Sequence, residues 1–394
     1  MVSPLSHGLR RFRKLIILIA FIAMSYELSA MNCYAQTAKY IRVAIVQDAA
    51  SLNLKVKGAY EIIDSVSKEV LTKGEDLKTT VTAYRDGILL GGKNFATIRL
   101  FIKTQNQEAI TIDGRRFRGD IQLIEKDNLR LMVINHIDLE GYIQGILYHE
   151  ASHYWPYDAL KAQAIACRTF ALYQMQKNAL KDYDVTSDIY SQVYGGRTSE
   201  RYRTTKAVEE TKGEILTYQN KIFPAYYHAT CAGHTEDASF LWNIDMVPLR
   251  GILCLFCKDS PHFRWHYVLS LDAIKDKLVN FGYPMKKIKN IEILGRDRSH
   301  RIISLNIASD NKDINIMAKD LRNILGPNII RSTNFNIQIV DSDVIFQGFG
   351  WGHGVGLCQW GAYFMAKRGY NYKKILKYYY PESELSLISQ YEIN

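Results

Sequence analysis

The chain has 394 residues, 47% of them hydrophobic and 23% charged, which is enough for a sizeable core and excludes wholesale disorder. Its formal net charge of +10 favours anionic partners such as nucleic acid, an acidic membrane or acidic wall polymers. No apolar run reaches about 18 residues, so a polytopic membrane protein is excluded, and the 8 prolines exclude a Pro-rich linker protein.

Residues 1–35 read as an export signal. Arg10, Arg11, Arg13 and Lys14 precede the apolar stretch Leu15 to Met24, and Cys33-Tyr34-Ala35 offers a cleavage site. An uncleaved anchor would still place the rest of the chain outside the cytoplasm, in the periplasm, cell wall or extracellular space. Removing this segment takes away four basic residues and Glu27 and leaves about +7. No nucleic-acid-binding motif accompanies that charge, so an exported basic protein points to wall polymer.

Residues 36–136 read as β-rich. Ile41 to Val46 and Ser51 to Val56 are strand-like, and Asp120 to Glu125 with Leu129 to Ile134 form a hairpin around Lys126-Asp127-Asn128. The period changes at Asp138, a good helix N-cap. Leu139, Tyr142, Ile143, Ile146, Leu147 and Glu150 then follow helical spacing, and a second helix starts near Pro156 to Asp158 with the stripe Leu160, Ala164, Cys167, Ala171 and Met175. Residues 137–264 thus hold a helix pair and a His/Cys region. Residues 265–345 alternate between helix and strand as an inserted α+β lobe. Residues 346–394 carry a Gly-rich segment and a C-terminal helix. The expected fold class is α+β.

Four constellations could carry chemistry. Glu150 continues an apolar helical face, where desolvation raises a carboxyl pKa and lets it act as a general acid. A Glu reaching solvent at a helix end is the plainer reading. His149-Glu150-Ala151-Ser152-His153 is a literal HExxH, the zinc-peptidase pattern, but Pro156 cuts its helix short and Ala159 occupies the place of a third His.

Cys254 and Cys257 have the spacing of one edge of a tetrahedral zinc site, with Cys231 nearby. His234 is taken as their fourth partner, and His228 and His262 compete for that place. A Cys254–Cys257 disulfide is the other reading. After cleavage five cysteines remain, so they cannot all pair within the chain. Finally, Phe349, Trp351 and His353 alternate with glycines from Gly348 to Gly356. In an extended segment they would share one face, able to stack on sugars or to fill a core.

Together these segments resemble the stage II sporulation protein D family, the SpoIID/LytB domain of lytic transglycosylases and amidase enhancers. The resemblance rests on Glu150 to Leu172 (EASHYWPYDALKAQAIACRTFAL), Gln192 to Gly196 (QVYGG), Tyr227 to Glu236 (YHATCAGHTE) and Gly352 to Ala362 (GHGVGLCQWGA). It implies peptidoglycan as substrate and non-hydrolytic cleavage between MurNAc and GlcNAc, with Glu150 as the acid/base. It places Gln192, Tyr194, His228, His353 and Gln359 at the glycan, and the stacking reading of the Gly-rich segment adds Trp351 to them. It also supports structural zinc at Cys231, Cys254 and Cys257, where Cys231 and Cys358 stand in for the family's usual Ser. Cys358 has no role in this reading, and no organic cofactor is expected. The rivals are an amidase enhancer that binds strands and stimulates an N-acetylmuramoyl-L-alanine amidase, and the HExxH zinc peptidase.

Overall fold

In the computed structural model the described residues are 40–391, apart from Asp86, 107–109 and Asn128. The export signal expected at 1–35 lies outside the described residues. The architecture is mixed α+β, with eight described helices.

The N-terminal half builds a sheet of eleven strands. Its central path follows β1 (Tyr40–Ala49), β10 (Arg130–Asp138), β9 (Asp120–Lys126), β6 (Arg99–Thr104), β2 (Ser51–Asp64) and β3 (Val70–Tyr84). In β2 the residues from Ser51 to Lys57 alternate between exposed and buried, which is the half-buried pattern the sequence predicts. β9 and β10 pair antiparallel from Arg130 opposite Lys126 to His136 opposite Asp120, the expected hairpin.

Helix α1 (Leu139–Glu150) starts where the Asp138 carboxylate accepts from the Gly141 N–H at 2.9 Å. Its buried face is Leu139, Tyr142, Ile143, Ile146 and Leu147. It ends at Glu150 because Ala151 is extended. Helix α2 (Tyr157–Lys177) is buried on nearly every side from Ala159 to Leu172. Its alanines let helices approach closely, and it touches α1, α3 (Tyr202–Glu210), and the C-terminal helices α7 (Gln359–Lys367) and α8 (Tyr372–Tyr379). Fully buried Arg168 braces this centre, donating to both oxygens of Glu140 at 2.9 and 2.7 Å and to the Glu214 carbonyl at 2.9 Å.

After the short α4 (Ala238–Trp242), residues 264–349 form a lobe with its own apolar cluster, including Ile274, Leu278, Leu305, Ile307, Leu321 and Phe346. It holds two three-stranded sheets and helices α5 (Leu271–Asn280) and α6 (Ala318–Leu325). Buried Arg301 anchors it, donating to the carbonyls of His234 at 3.1 Å and Cys231 at 3.2 Å. Beside it, Glu236 accepts from Ser299 at 3.1 Å, and burial pushes its carboxyl up to about 8.

The Gly-rich segment departs from expectation. The strand Asp343–Phe349 stops before it, and Gly350, Gly352, Gly354 and Gly356 all take positive φ. Alternate left-handed residues break the extended path, so Phe349, Trp351 and His353 are not three teeth on one strand face. Close approach requires glycine at two of these positions. A Cβ on Gly356 would lie 2.0 Å from the Tyr226 carbonyl, and one on Gly354 would lie 2.5 Å from the Arg301 guanidinium.

Candidate functional site

Glu150 occupies the last position of α1, where the apolar stripe delivers it to the edge of the core. The residue keeps part of its surface open while its carboxyl is densely surrounded by protein, and burial raises its pKa from 4.5 to about 7. The opposing influences are hydrogen bonds: the Val193 N–H donates to Glu150 Oε1 at 3.2 Å, and Tyr227 and Gln359 bond to the side chain. Gln359 Nε2 also donates to the Glu150 carbonyl at 2.9 Å, which ties the end of α1 to the start of α7. No carboxylate is among the groups that shift Glu150. It is a single acid, poised to hold a proton near neutrality.

Behind it runs a buried relay. Tyr142 donates to Gln192 Oε1 at 3.0 Å, and Gln192 Nε2 donates to the Tyr227 hydroxyl at 2.9 Å. Tyr227 therefore has its own proton free for the Glu150 carboxyl. Burial drives the Tyr227 pKa well up, so it stays a donor.

The side chains of Gln192 and Tyr194, which the resemblance places at the glycan, are each only 1% exposed. Tyr194 donates to Asn135 at 2.8 Å and packs on Tyr142. Both support Glu150 from behind instead of facing solvent. His228 is also buried. Its Nδ1 lies 3.1 Å from the Val355 carbonyl, its Nε2 has no partner, and burial holds it neutral. His353 is half-buried, 5.7 Å from His228 ring to ring, and burial lowers its pKa to about 3.

Aromatic rings form the rim. Trp155, Trp360 and Tyr363 meet at 5.0–5.3 Å between centroids, and Trp360 directly follows Gln359. Half-buried Trp351 meets His262 edge to face at 4.7 Å and lies under the Arg331 guanidinium at 4.6 Å. Sequence reasoning singled out Trp351 but missed Trp155, Trp360 and Tyr227. The signal for Tyr227 was its place beside His228, on the other side of the chain in an extended segment.

The cysteines correct the expected ligand set. Cys231, Cys254, Cys257 and Cys358 are buried, and their Sγ atoms all lie within 4.8 Å of one another. Cys358, not His234, completes the group. His234 instead points its Nδ1 at the Thr235 carbonyl, 2.6 Å away. The parallel pairing of Tyr227–His228 with Leu357–Cys358 brings Cys358 to the other three. The Cys231–Cys257 separation of 3.5 Å is far beyond a disulfide of about 2.05 Å. It is close to the sulfur–sulfur edge, roughly 3.8 Å, of a tetrahedron with Zn–S near 2.3 Å. The sulfurs also receive N–H donors: Cys231 N–H at 3.3 Å and Gly361 N–H at 3.4 Å both point to Cys358 Sγ. The donor set suits a soft, thiolate-binding ion. The fifth cysteine, Cys167, is buried apart on α2, beside Glu150 and Tyr227.

The HExxH motif does not assemble. The helix ends at Glu150, His149 is exposed with Nε2 2.6 Å from Ser199 Oγ, and His153 stacks on Tyr154. Two other carboxylates, Asp188 and Glu236, are engaged elsewhere. Asp188 accepts from Thr186 and the Tyr190 N–H, and Glu236 holds the lobe anchor. A concavity of 590 Å³ on the N-terminal sheet, lined by Asn53, Lys55, Lys78 and Asp113 among others, includes none of these site residues.

Residues 127–218 match the family model described as Stage II sporulation protein, and residues 256–356 match a domain of unknown function, DUF8618. The chain is 34% identical over 354 residues to an uncharacterized protein of Brachyspira hyodysenteriae, covering 86% of this chain and 91% of that one. It is 30% identical over 269 residues to the stage II sporulation protein D of Bacillus subtilis, covering 64% and 76%. It is 27% identical over 341 residues to the amidase enhancer of Bacillus subtilis, covering 73% of this chain and 47% of that protein.

Proposed function

Because this chain belongs to the stage II sporulation protein D family, we propose that it is an exported lytic transglycosylase that cuts peptidoglycan glycan strands between MurNAc and GlcNAc, with Glu150 as its acid and base. The observation that carries this reading is one buried carboxyl, raised to about 7, with no carboxylate beside it. Hydrolysing glycosidases generally use two carboxylates, one of them for a water or as nucleophile. A transglycosylase needs only one, because the C6 hydroxyl of the sugar is the nucleophile.

Protonated Glu150 gives its proton to the leaving glycosidic oxygen as that bond breaks. The resulting carboxylate then takes the proton of the C6 hydroxyl as its oxygen closes on C1, which yields a 1,6-anhydro end and restores the acid. Tyr227 and the Val193 N–H hold the carboxyl in place and stabilise its ionised form between the two transfers. Gln359 fixes the end of α1 against α7.

The four cysteines are assigned to a structural zinc. Bound there, the ion would neutralise the thiolates and clamp α7 to the 231–257 loops; it takes no part in the chemistry. The rival is the enhancer role, in which the same cleft binds strands and the chain stimulates a wall amidase; the likeness to the amidase enhancer favours it.

Strand cleavage by the purified protein and by Glu150→Gln separates these. Cleavage by the unsubstituted protein should fall at least about a hundredfold in the variant, with strand binding retained. Strand binding by both without cleavage by either, together with stimulation of an amidase, would replace the enzyme with the enhancer.

A further inference from the structure

The lobe at 264–349 coincides with most of the domain of unknown function, and two of its arginines lack the partners that buried or stacked cations normally have. Among the described residues the Arg331 guanidinium makes neither a hydrogen bond nor an ion pair; it stacks on the face of Trp351, and its charge reaches His262. Arg322 on α6 is half-buried, its Nε is buried without a partner, and it is the strongest charge acting on His353. Arg301, close to Arg322, also has a buried Nε without a hydrogen-bond partner, but its two Nη atoms donate to two carbonyls and Ser299, and Glu236 lies 3.9 Å away. Five fixed donors held without an acceptor suit a planar anion such as a carboxylate.

Arg331 lies at the end of a path of rings. Gln359 touches Glu150, and Trp360 follows it. From Trp360 the next ring is His262 at 6.2 Å, then Trp351 at 4.7 Å, then Arg331 stacked at 4.6 Å. All four side chains are half-buried, each with an open part. Buried His228 adds an unpartnered acceptor, Nε2, beside His353.

We propose that Trp360, His262 and Trp351 form a sugar-binding ribbon that carries the glycan from Glu150 onto the lobe, and that Arg331 at its far end binds a carboxylate of that glycan. This rests on the glycan-strand reading above. It gives the lobe a function, that of an acidic-glycan subsite. A peptidoglycan strand can supply the carboxylate from its lactyl group, once peptides are removed, or from a stem peptide.

Binding is measured in a Glu150→Gln background, so that turnover does not intrude, with and without Arg331→Gln. The ligands are a neutral chitin oligosaccharide, peptide-stripped strands and peptide-bearing strands. Arg331→Gln should weaken carboxylate-bearing strands about tenfold and leave the chitin oligosaccharide unchanged. Methyl-esterified strands should bind the Arg331 protein as weakly as native strands bind the variant, a comparison independent of how the variant folds. Loss confined to stripped strands assigns the lactyl carboxylate, and loss confined to peptide-bearing strands assigns the stem peptide. Equal affinity of both proteins for both strand types overturns the proposal. Absence of cleavage by the unsubstituted protein would refute the transglycosylase and leave this binding result standing.

Discussion

The polar groups behind Glu150 satisfy one another, whereas the four thiols beneath α7 do not. In the first region Tyr142, Gln192 and Tyr227 pass hydrogen bonds in one direction and end on the carboxyl. Each heteroatom has a protein partner, so burial there is compensated without help from outside. In the second region four acidic donors crowd within 4.8 Å and can offer one another only weak S–H contacts. Neighbouring thiols and the Tyr379 hydroxyl strongly favour a thiolate at Cys254, while burial pushes Cys231 and Cys358 up. The difference separates a network that shifts one proton from a cluster whose donor set suits a thiolate-binding ion. Gln359, next to Cys358, connects them.

The largest effect belongs to the cluster. Structural zinc contributes on the order of 10 kcal/mol in small domains, so Cys254→Ser should lose the metal and lower the midpoint of thermal unfolding by more than about 10 °C. His234→Ala should keep one zinc per chain, and metal content with melting curves reads both. Zinc lost from His234→Ala and kept in Cys358→Ser would restore the ligand set that the sequence suggested.

Within the network, Tyr227→Phe removes the shorter of the two hydrogen bonds of Gln192 Nε2, leaving only the Cys167 carbonyl at 3.4 Å, and should cost about 1–2 kcal/mol in denaturant unfolding. Because the Tyr227 bond lowers the Glu150 pKa, its removal should also move the alkaline limb of the strand-cleavage profile above about 7.

Glu150→Gln tests the tuning itself. The folded pKa of Glu150, about 7, lies above its ordinary 4.5, so the folded chain holds this proton more tightly than the unfolded one. That stabilisation is complete below about 4.5 and is lost as pH rises through about 7. Relative to the Gln variant, the unsubstituted protein should lose about 1–2 kcal/mol across this window, a figure reduced for the partial exposure of the residue. Parallel pH–stability curves would contradict the assignment of burial as the dominant cause.

The smallest change is expected from His149→Ala, within about 0.5 kcal/mol in stability, because the ring is exposed. Its cleavage rate should stay within about twofold, whereas a peptidase built on HExxH would lose its activity.

The parts of this molecule with a local period were legible in its sequence. The α1 stripe, its Asp138 cap and the 120–134 hairpin follow from side-chain spacing, and the same stripe places Glu150 on the buried edge. The lobe elements could be read for the same reason. What escaped depends on contacts between distant segments. Cys358 lies about a hundred residues from Cys257, and only the pairing of 227–228 with 357–358 makes it a neighbour. The alternating glycines suggested an extended face because a period of two usually means a strand, yet glycine also permits the left-handed turns found here. Motif position does not reveal burial either: Gln192 and Tyr194 resembled substrate contacts, yet both are buried and hydrogen-bonded to Tyr142, Tyr227 and Asn135.

The central claim is that a single carboxyl serves both proton transfers, and the chemistry of the cut end tests it most directly. Mass spectrometry of purified glycan strands, after incubation with the protein and with Glu150→Gln, should find 1,6-anhydro ends from the unsubstituted protein alone. Reducing ends in their place would mean that water is the nucleophile and that a second activating group works beside Glu150, contrary to this account.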